Sequence, residues 1–324
     1  MNLKDVKGKM LKAIERIAIF GAGAMGAAYA GLFTDNSDIH VCFAARSDRF
    51  ARLDGATINV NGRNYTIPVV HPDRVARPFD LVLVALKHHH LTEAVFKDIN
   101  ALTGPDTLVL SVMNGLESEK LLGHAFGHEK IVPAIAVGID AVHENNSFTF
   151  ANPGKIIFGN DPALPNADDT ERLERIKTAL DQGGIPNEIS PDILRTMWWK
   201  FMVNVGVNQA SAVLGAPYGI FQNLPEARAL MVALMQEVVA LAQHRGINLQ
   251  SSDIEQWLDM LYTLSPDGKT SMLQDMEAKR KTEVEIFAGA VEVMGKEDAI
   301  PTPVNSTFLN LIRVKEKIIA GTAG

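Results

Sequence analysis

The stretch Arg16-Ile-Ala-Ile-Phe-Gly-Ala-Gly-Ala-Met-Gly-Ala-Ala-Tyr-Ala-Gly-Leu-Phe33 decides how the rest of the chain is read. Ile17 to Phe20 is an apolar run of strand length, and the Ala-rich residues from Ala27 onward suit a buried helix. Between them Gly21, Gly23 and Gly26 fall in the spacing G-x-G-x-x-G. Gly21 permits a tight turn, Gly23 lets backbone N–H groups approach a pyrophosphate, and Gly26 allows helix and strand to pack closely. Ala24 and Met25 complete the loop, where the start of the helix offers positive potential to phosphates. Strand, loop and helix in this order predict a Rossmann-type dinucleotide-binding domain. A glycine-rich turn without a ligand is the plain alternative, and the flanking strand and helix count against it.

Working outward, Ile39 to Ala45 reads as the next strand, followed by Arg46-Ser-Asp-Arg49. An acidic residue at such a strand end would bind a ribose 2′-hydroxyl; Arg46 stands there instead, and a guanidinium favours a 2′-phosphate. The expected cofactor is therefore NADP(H), with Asp48 keeping NAD open. Gly55 to Val70 predicts a hairpin turning at Asn61-Gly62. Asp80 to Leu86 is a near-continuous apolar strand of the parallel-sheet kind, and Lys87 sits at its carboxyl end, where ligands bind in this architecture. The following His88, His89 and His90 point in different directions with no acidic or cysteine cluster beside them, so no metal is expected. Thr107 to Val112 leads into Asn114-Gly115, where Asn114 is either a ligand-facing amide for cofactor or substrate or a simple turn residue. Ile131 to Val137 reads as a further strand. Phe148 to Gly159 reads as a hairpin around Asn152-Pro-Gly154 that extends the sheet. After a polar helix from Thr170 to Asp181, the domain boundary is expected near Ser190.

The second half is helical, over Leu224–Arg245, Ser252–Leu264, Ser271–Gly295 and a last helix through Lys317 after Pro301-Thr-Pro303. The expected architecture is thus an α/β Rossmann-type dinucleotide-binding domain over residues 1–190, with 1–15 as an N-terminal extension, followed by an all-α C-terminal domain over 191–324. Thr196 to Gly215 is apolar nearly all round, which describes a helix buried in a core. Lys200, Asn204 and Asn208 recur every fourth residue within it and share roughly one face. That face is either solvated or a polar stripe lining a substrate pocket; two short amides at one-turn intervals favour the pocket. Lys200 is then a plausible donor to a carbonyl oxygen that gains negative charge. Glu283 lies on or beside the stripe Leu273, Met276, Arg280, Val284, Phe287 and Val291, and a structural ion pair is its plain alternative. Ser271-x-x-Gln274 is a capping-box pattern, so the Ser271 hydroxyl has a structural account as well.

Composition limits the partners. With Lys+Arg 31 against Asp+Glu 38 the formal charge is −7 and no basic stripe stands out, which argues against nucleic acid. No apolar run approaches the length of a membrane span, and Met1 to Glu15 lacks the apolar core of a signal peptide. The single cysteine, Cys42, lies in an apolar strand and reads as a core residue; a chain unable to form an internal disulfide suits a reducing, cytoplasmic compartment.

The residues together resemble the ketopantoate reductase (2-dehydropantoate 2-reductase) family over nearly the whole chain. The resemblance rests on the glycine fingerprint, the Lys87 strand end, Asn114-Gly115, Trp199-Lys200-x-x-x-Asn204-x-x-x-Asn208, Ser271-Met-Leu-Gln-Asp275, Thr282-Glu283 and Ile300-Pro-Thr-Pro-Val304. It implies NADPH-dependent reduction of 2-dehydropantoate to pantoate in pantothenate and coenzyme A biosynthesis. Lys200 and Glu283 are implied as catalytic residues, and Asn114, Asn204, Asn208 and Ser271 as substrate-holding ones. The cofactor would lie on Gly21, Gly23, Ala24, Met25, Gly26, Arg46, Lys87 and Asn114. The implied partner is a small-molecule 2-oxo acid, and a homodimer is compatible with the chain. One position departs from some members: Tyr218 stands where they carry a further asparagine. This keeps a reductase of another branched 2-oxo acid open, as is a non-catalytic NADPH-binding regulator, which would need the glycine loop but not Lys200 with Glu283.

Overall fold

The computed structural model describes residues 12–139, 142–144, 147–150, 152–165 and 168–321. They fall into two compact units, one ending at Ile193 and the other beginning at Leu194. The N-terminal extension expected over 1–15 lies outside the described residues up to residue 11.

The first unit carries strands β1 (Arg16–Phe20), β2 (His40–Ala44), β3 (Ile58–Val60), β4 (Arg63–Tyr65), β5 (Val69–Val70), β6 (Leu81–Val84), β7 (Leu108–Ser111), β8 (Ile131–Val132), β9 (Ala134–Ile139), β10 (Val142–Glu144), β11 (Ser147–Thr149), β12 (Pro153–Phe158) and β13 (Asn187–Ile189). Helices α1 (Ala24–Asn36), α2 (Ser47–Leu53), α3 (Glu93–Leu102), α4 (Ser118–Phe126) and α5 (Thr170–Gln182) lie between them. A six-stranded sheet runs β5-β2-β1-β6-β7-β8 with every pairing parallel. Its central strands are short runs of Ile, Leu and Val because helices cover both faces, leaving no solvated side that would call for alternation. Ile17, Ile19, Leu81 and Leu83 pack into one core with Phe33 of α1 and Ile176 of α5. Ala18, Val82, Val84 and Val109 face the opposite way, into a core with Ile99 of α3 and Leu122 of α4.

The hairpin at Asn61-Gly62 forms as expected. Both residues take positive φ (49° and 81°), the conformation of the tight hairpin turn that matches strand twist. Two other readings need correction. The strand expected from Ile131 to Val137 splits at Pro133, which has no N–H to donate to a continuing ladder. β8 stays in the parallel sheet, whereas β9 leaves to pair antiparallel with β12. The hairpin expected over Phe148–Gly159 does not form: β11 joins β3, and β12 joins β9 and β13. Gly154 marks the reason, since its φ is 68° and a Cβ there would stand 2.5 Å from the Val137 carbonyl oxygen of β9.

The second unit holds α6 (Ile193–Val203), a π-helical turn (Asn204–Asn208), α7 (Gln209–Leu214), α8 (Tyr218–Asn223), α9 (Pro225–His244), α10 (Ser251–Leu261), α11 (Ser271–Glu277), α12 (Ala288–Glu297) and α13 (Pro303–Ile319). The single helix expected from Ser271 to Gly295 is broken. α11 stops at Glu277, Lys279 takes a left-handed φ of 54°, and a short 3₁₀ turn over Val284–Ile286 precedes α12. Buried Asp275 takes part in the stop, its carbonyl accepting from the Arg280 N–H and its carboxylate from Arg280 Nε. The stripe that included Arg280 is therefore not one helical face, and Arg280 itself is exposed. Among the described residues no helix is long and apolar enough to cross a membrane.

Candidate active site

In the first unit, the expected cofactor residues gather along one edge of the sheet. Phe20 pairs with Val84, and Val84 with Ser111, so β1, β6 and β7 end level with one another. Three loops start side by side there: the glycine loop after Phe20, the segment carrying Lys87 after Val84, and Met113-Asn114-Gly115 after Ser111. Lys87 and Asn114 are both half-buried. On either side of Asn114 in sequence lies a buried chain the sequence reading missed, in which Ser111 Oγ meets Ser118 Oγ at 2.8 Å and Ser118 donates to Glu119 at 2.8 Å.

The three glycines have different structural reasons. Gly21 has φ of 122°, and a Cβ on it would lie 2.4 Å from the Ala85 carbonyl oxygen at the end of β6. A Cβ on Gly26 would come within 1.9 Å of the Gly21 carbonyl oxygen. Gly23 differs from both: it is the N-cap of α1, carries no capping side chain, and a Cβ there meets nothing within 4 Å. The start of α1 thus has no capping side chain and has open space beside Gly23, a cradle that fits a phosphate.

Arg46 lies two residues past the end of β2 and is the N-cap of α2. Its Nε donates to Asp98 at 2.7 Å, and its terminal nitrogens donate to the two carboxylate oxygens of Asp73 at 2.6 and 2.5 Å. This hydrogen-bonded pairing holds the Asp73 carboxyl below its ordinary range. Neither carboxylate was anticipated as a partner of Arg46.

In the second unit, the Lys200–Asn204–Asn208 run forms a continuous helix with a π turn inside it. Lys200 and Asn204 are half-buried and Asn208 is buried, so the stripe is not an ordinary solvated face. Asn208 Nδ2 donates to Asn204 Oδ1 at 3.2 Å, joining the two amides. Behind them the Gln209 side chain donates to Val205 O at 2.8 Å and to Asn305 Oδ1 at 3.1 Å. Asn305 in turn donates to Glu237 at 2.7 Å, whose carboxylate also accepts the Val304 and Asn305 N–H groups at the start of α13.

Glu283 is half-buried at the start of the 3₁₀ turn. Its neighbour Thr282 is buried and tied to Glu316 of α13 through both its N–H (2.8 Å) and its hydroxyl (2.6 Å). The capping role considered for Ser271 belongs to Thr270, whose hydroxyl accepts from the Leu273 N–H; Ser271 is the exposed first residue of α11. With α11 ending at Glu277, Ser271 and Glu283 lie on separate elements rather than on one straight helix. Tyr218 begins α8 and packs on Gly268, where a Cβ would lie 2.9 Å from its ring. Burial raises its phenol above the ordinary range. Among the described residues no group of three or more His, Cys, Asp or Glu side chains is placed to hold a metal.

Residues 17–163 match the family model described as ketopantoate reductase PanE/ApbA, and residues 192–316 match its C-terminal counterpart. The 2-dehydropantoate 2-reductase of Nostoc sp. is 30% identical over 85% of this chain and 86% of its own. Among solved structures, a D-mandelate dehydrogenase in ternary complex with NADH and anilino(oxo)acetate aligns with TM-score 0.83 at 22% identity, covering 94% of this chain and 99% of that one. A dimeric ketopantoate reductase from Staphylococcus aureus aligns with TM-score 0.78, also at 22% identity, 94% and 99% coverage. By its sequence and its fold, this chain belongs to the ketopantoate reductase family.

Proposed function

We propose that the chain reduces 2-dehydropantoate to pantoate with NADPH, as a step of pantothenate and coenzyme A biosynthesis. The observation that carries this reading is the half-buried Lys200 on the same helix as the joined amides of Asn204 and Asn208. A dinucleotide supplies the hydride when bound, and the cradle at Gly23 suits its pyrophosphate. Ala24 and Met25 line that loop, with Lys87 and Asn114 on the adjoining ones. Arg46 is the group for a 2′-phosphate.

The chain's own residues do the rest. Lys200 donates a hydrogen bond to the ketone oxygen and delivers the proton that converts C=O plus hydride to CH–OH. Asn204 and Asn208 fix the orientation of the acid, with Ser271 and Asn114 as further contacts. Glu283, held through Thr282 and Glu316, binds the substrate hydroxyl. A homodimer is proposed from likeness to the dimeric Staphylococcus aureus protein, and a reducing, cytoplasmic setting from the one buried cysteine.

A second reading has its own observation. Tyr218, whose large ring packs on Gly268, stands where some family members carry a further asparagine, and an aromatic ring in place of that amide favours a different branched 2-oxo acid over 2-dehydropantoate. Initial rates of NADPH oxidation with 2-dehydropantoate and a panel of branched and aromatic 2-oxo acids decide between them. The highest kcat/KM with 2-dehydropantoate supports the first reading; turnover of none of the acids removes both.

A further inference from the structure

We infer that Asp73 is a built-in competitor for the 2′-phosphate, and that the Asp73–Arg46 pair sets how strongly the chain prefers NADPH over NADH. The inference rests on the dinucleotide site proposed above and adds to it a specificity residue outside the glycine loop and outside the strand end.

Arg46 is held at two points that differ in kind. Its Nε is tied to Asp98, whose side chain is only 8% exposed on α3; this contact anchors the guanidinium in place. Its terminal nitrogens are tied to Asp73, whose side chain is 61% exposed on the short turn Pro72–Arg74. Two carboxylate oxygens on two terminal nitrogens is the fork geometry that two phosphate oxygens also adopt. Asp73 therefore occupies the N–H groups that a 2′-phosphate needs. The exposed turn can yield; the buried anchor cannot.

The charges point the same way. One guanidinium between two carboxylates leaves the cluster net negative, which repels a phosphate until Asp73 withdraws. His71 lies beside the pair, its Nδ1 accepting the Asp73 backbone N–H at 3.3 Å and standing 3.8 Å from the Asp73 carboxylate. Arg74 stands over the Phe50 ring at 5.9 Å. NADH has a bare ribose hydroxyl at this point and leaves the Arg46–Asp73 pair intact. The pair thus handicaps NADPH alone.

The test is binding, measured by calorimetry on the full-length protein. NADPH and NADH are titrated together with the smaller probes adenosine 2′,5′-bisphosphate and AMP. Freeing the Arg46 fork with Asp73→Asn is expected to tighten NADPH and the bisphosphate roughly tenfold or more, while NADH and AMP change by less than about twofold. In an Arg46→Ala background the same substitution is expected to give no gain. Asp73→Asn leaving NADPH unchanged, or weakening it, overturns the inference and makes Asp73 a residue that orients Arg46. Wild-type protein binding neither dinucleotide overturns instead the cofactor reading on which the inference rests, and an unaltered melting temperature for Asp73→Asn shows that affinities are compared between folded proteins.

Discussion

Asn208 and Asn204 share a hydrogen bond of 3.2 Å across a π-helical turn, with Asn208 donating. The bond uses one donor of Asn208 and one acceptor of Asn204 and leaves the rest of each amide for a ligand. Two amides joined in this way act as a unit, so their contributions are not additive. Asn204→Ala and Asn208→Ala are each expected to raise KM, lower kcat, or both, with the double variant losing clearly less than the two losses combined. NADPH affinity should stay within about twofold, because both residues lie in the helical unit. Strictly additive losses, or variants that merely unfold, would show that the amides serve only the helix.

The π turn has its own support, which makes a separate prediction. The Gln209 backbone N–H donates to Gly206 O while the Gln209 side chain serves Val205 O, so side-chain bonding replaces a regular backbone step. Gly206 allows the close approach, since a Cβ there would stand 2.4 Å from Met235 Cε of α9. Asn305→Ala removes the partner of Gln209 and one donor to Glu237, all within the core. A loss of about 1–3 kcal/mol in urea unfolding is expected, together with a lower kcat/KM in the protein that remains folded. Normal kinetics at reduced stability would confine the network to a structural role.

The glycine loop separates fold from function by position. Gly26→Ala is expected to destabilise or misfold the protein, its Cβ meeting the Gly21 carbonyl oxygen at 1.9 Å. Gly23→Ala has open space and is expected to fold with an unchanged melting temperature yet lose dinucleotide affinity tenfold or more, roughly one lost charge-assisted contact. Thermal unfolding and cofactor titration of both variants check this. Full affinity in Gly23→Ala would mean that the start of α1 does not carry the pyrophosphate.

What could be read from the sequence was local. The strand-glycine-helix step at Arg16–Phe33 and the Asn61-Gly62 turn each carry their instruction in adjacent residues. What stayed hidden depends on neighbours far along the chain. Arg46 looked like a free phosphate ligand because its partners lie 27 and 52 residues away. The π turn answers to packing on α9 rather than to any motif. The break after Glu277 has no Gly or Pro to announce it: Lys279 takes left-handed φ, and Thr282 is drawn to Glu316, 34 residues on.

Cys42 gives a prediction with a definite sign. Burial pushes its thiol up to about 12, with Arg16 pulling weakly the other way. A pKa raised by folding means that the folded state keeps a proton the unfolded state gives up, so stability is complete below the unfolded value and falls as pH rises from about 9 toward 12. Native protein at pH 8 should therefore react with a thiol reagent at the rate of global unfolding, and at once in urea. Fast stoichiometric labelling of the native protein would contradict the buried placement.

The proposed reduction rests most heavily on Lys200. Hydride arriving at the carbon of a 2-oxo group leaves an oxygen with developing negative charge, which needs both a counter-charge and a proton. Lysine supplies both from one atom, provided its ammonium lies within about 3 Å of that oxygen. A half-buried position on a largely apolar helix limits water and strengthens such an interaction. Lys200→Ala is expected to lose roughly 10²–10⁴ in kcat while NADPH affinity is retained. Lys200→Arg keeps the charge but is a far poorer proton donor, so it should recover substrate binding better than turnover. In the wild type, reduction should slow at alkaline pH as the ammonium is lost, and that limb of the kcat/KM profile should vanish in Lys200→Ala. If the alanine variant keeps most of its activity, or the same alkaline limb, the proton comes from another group and Lys200 is only a positive charge in the wall of the pocket.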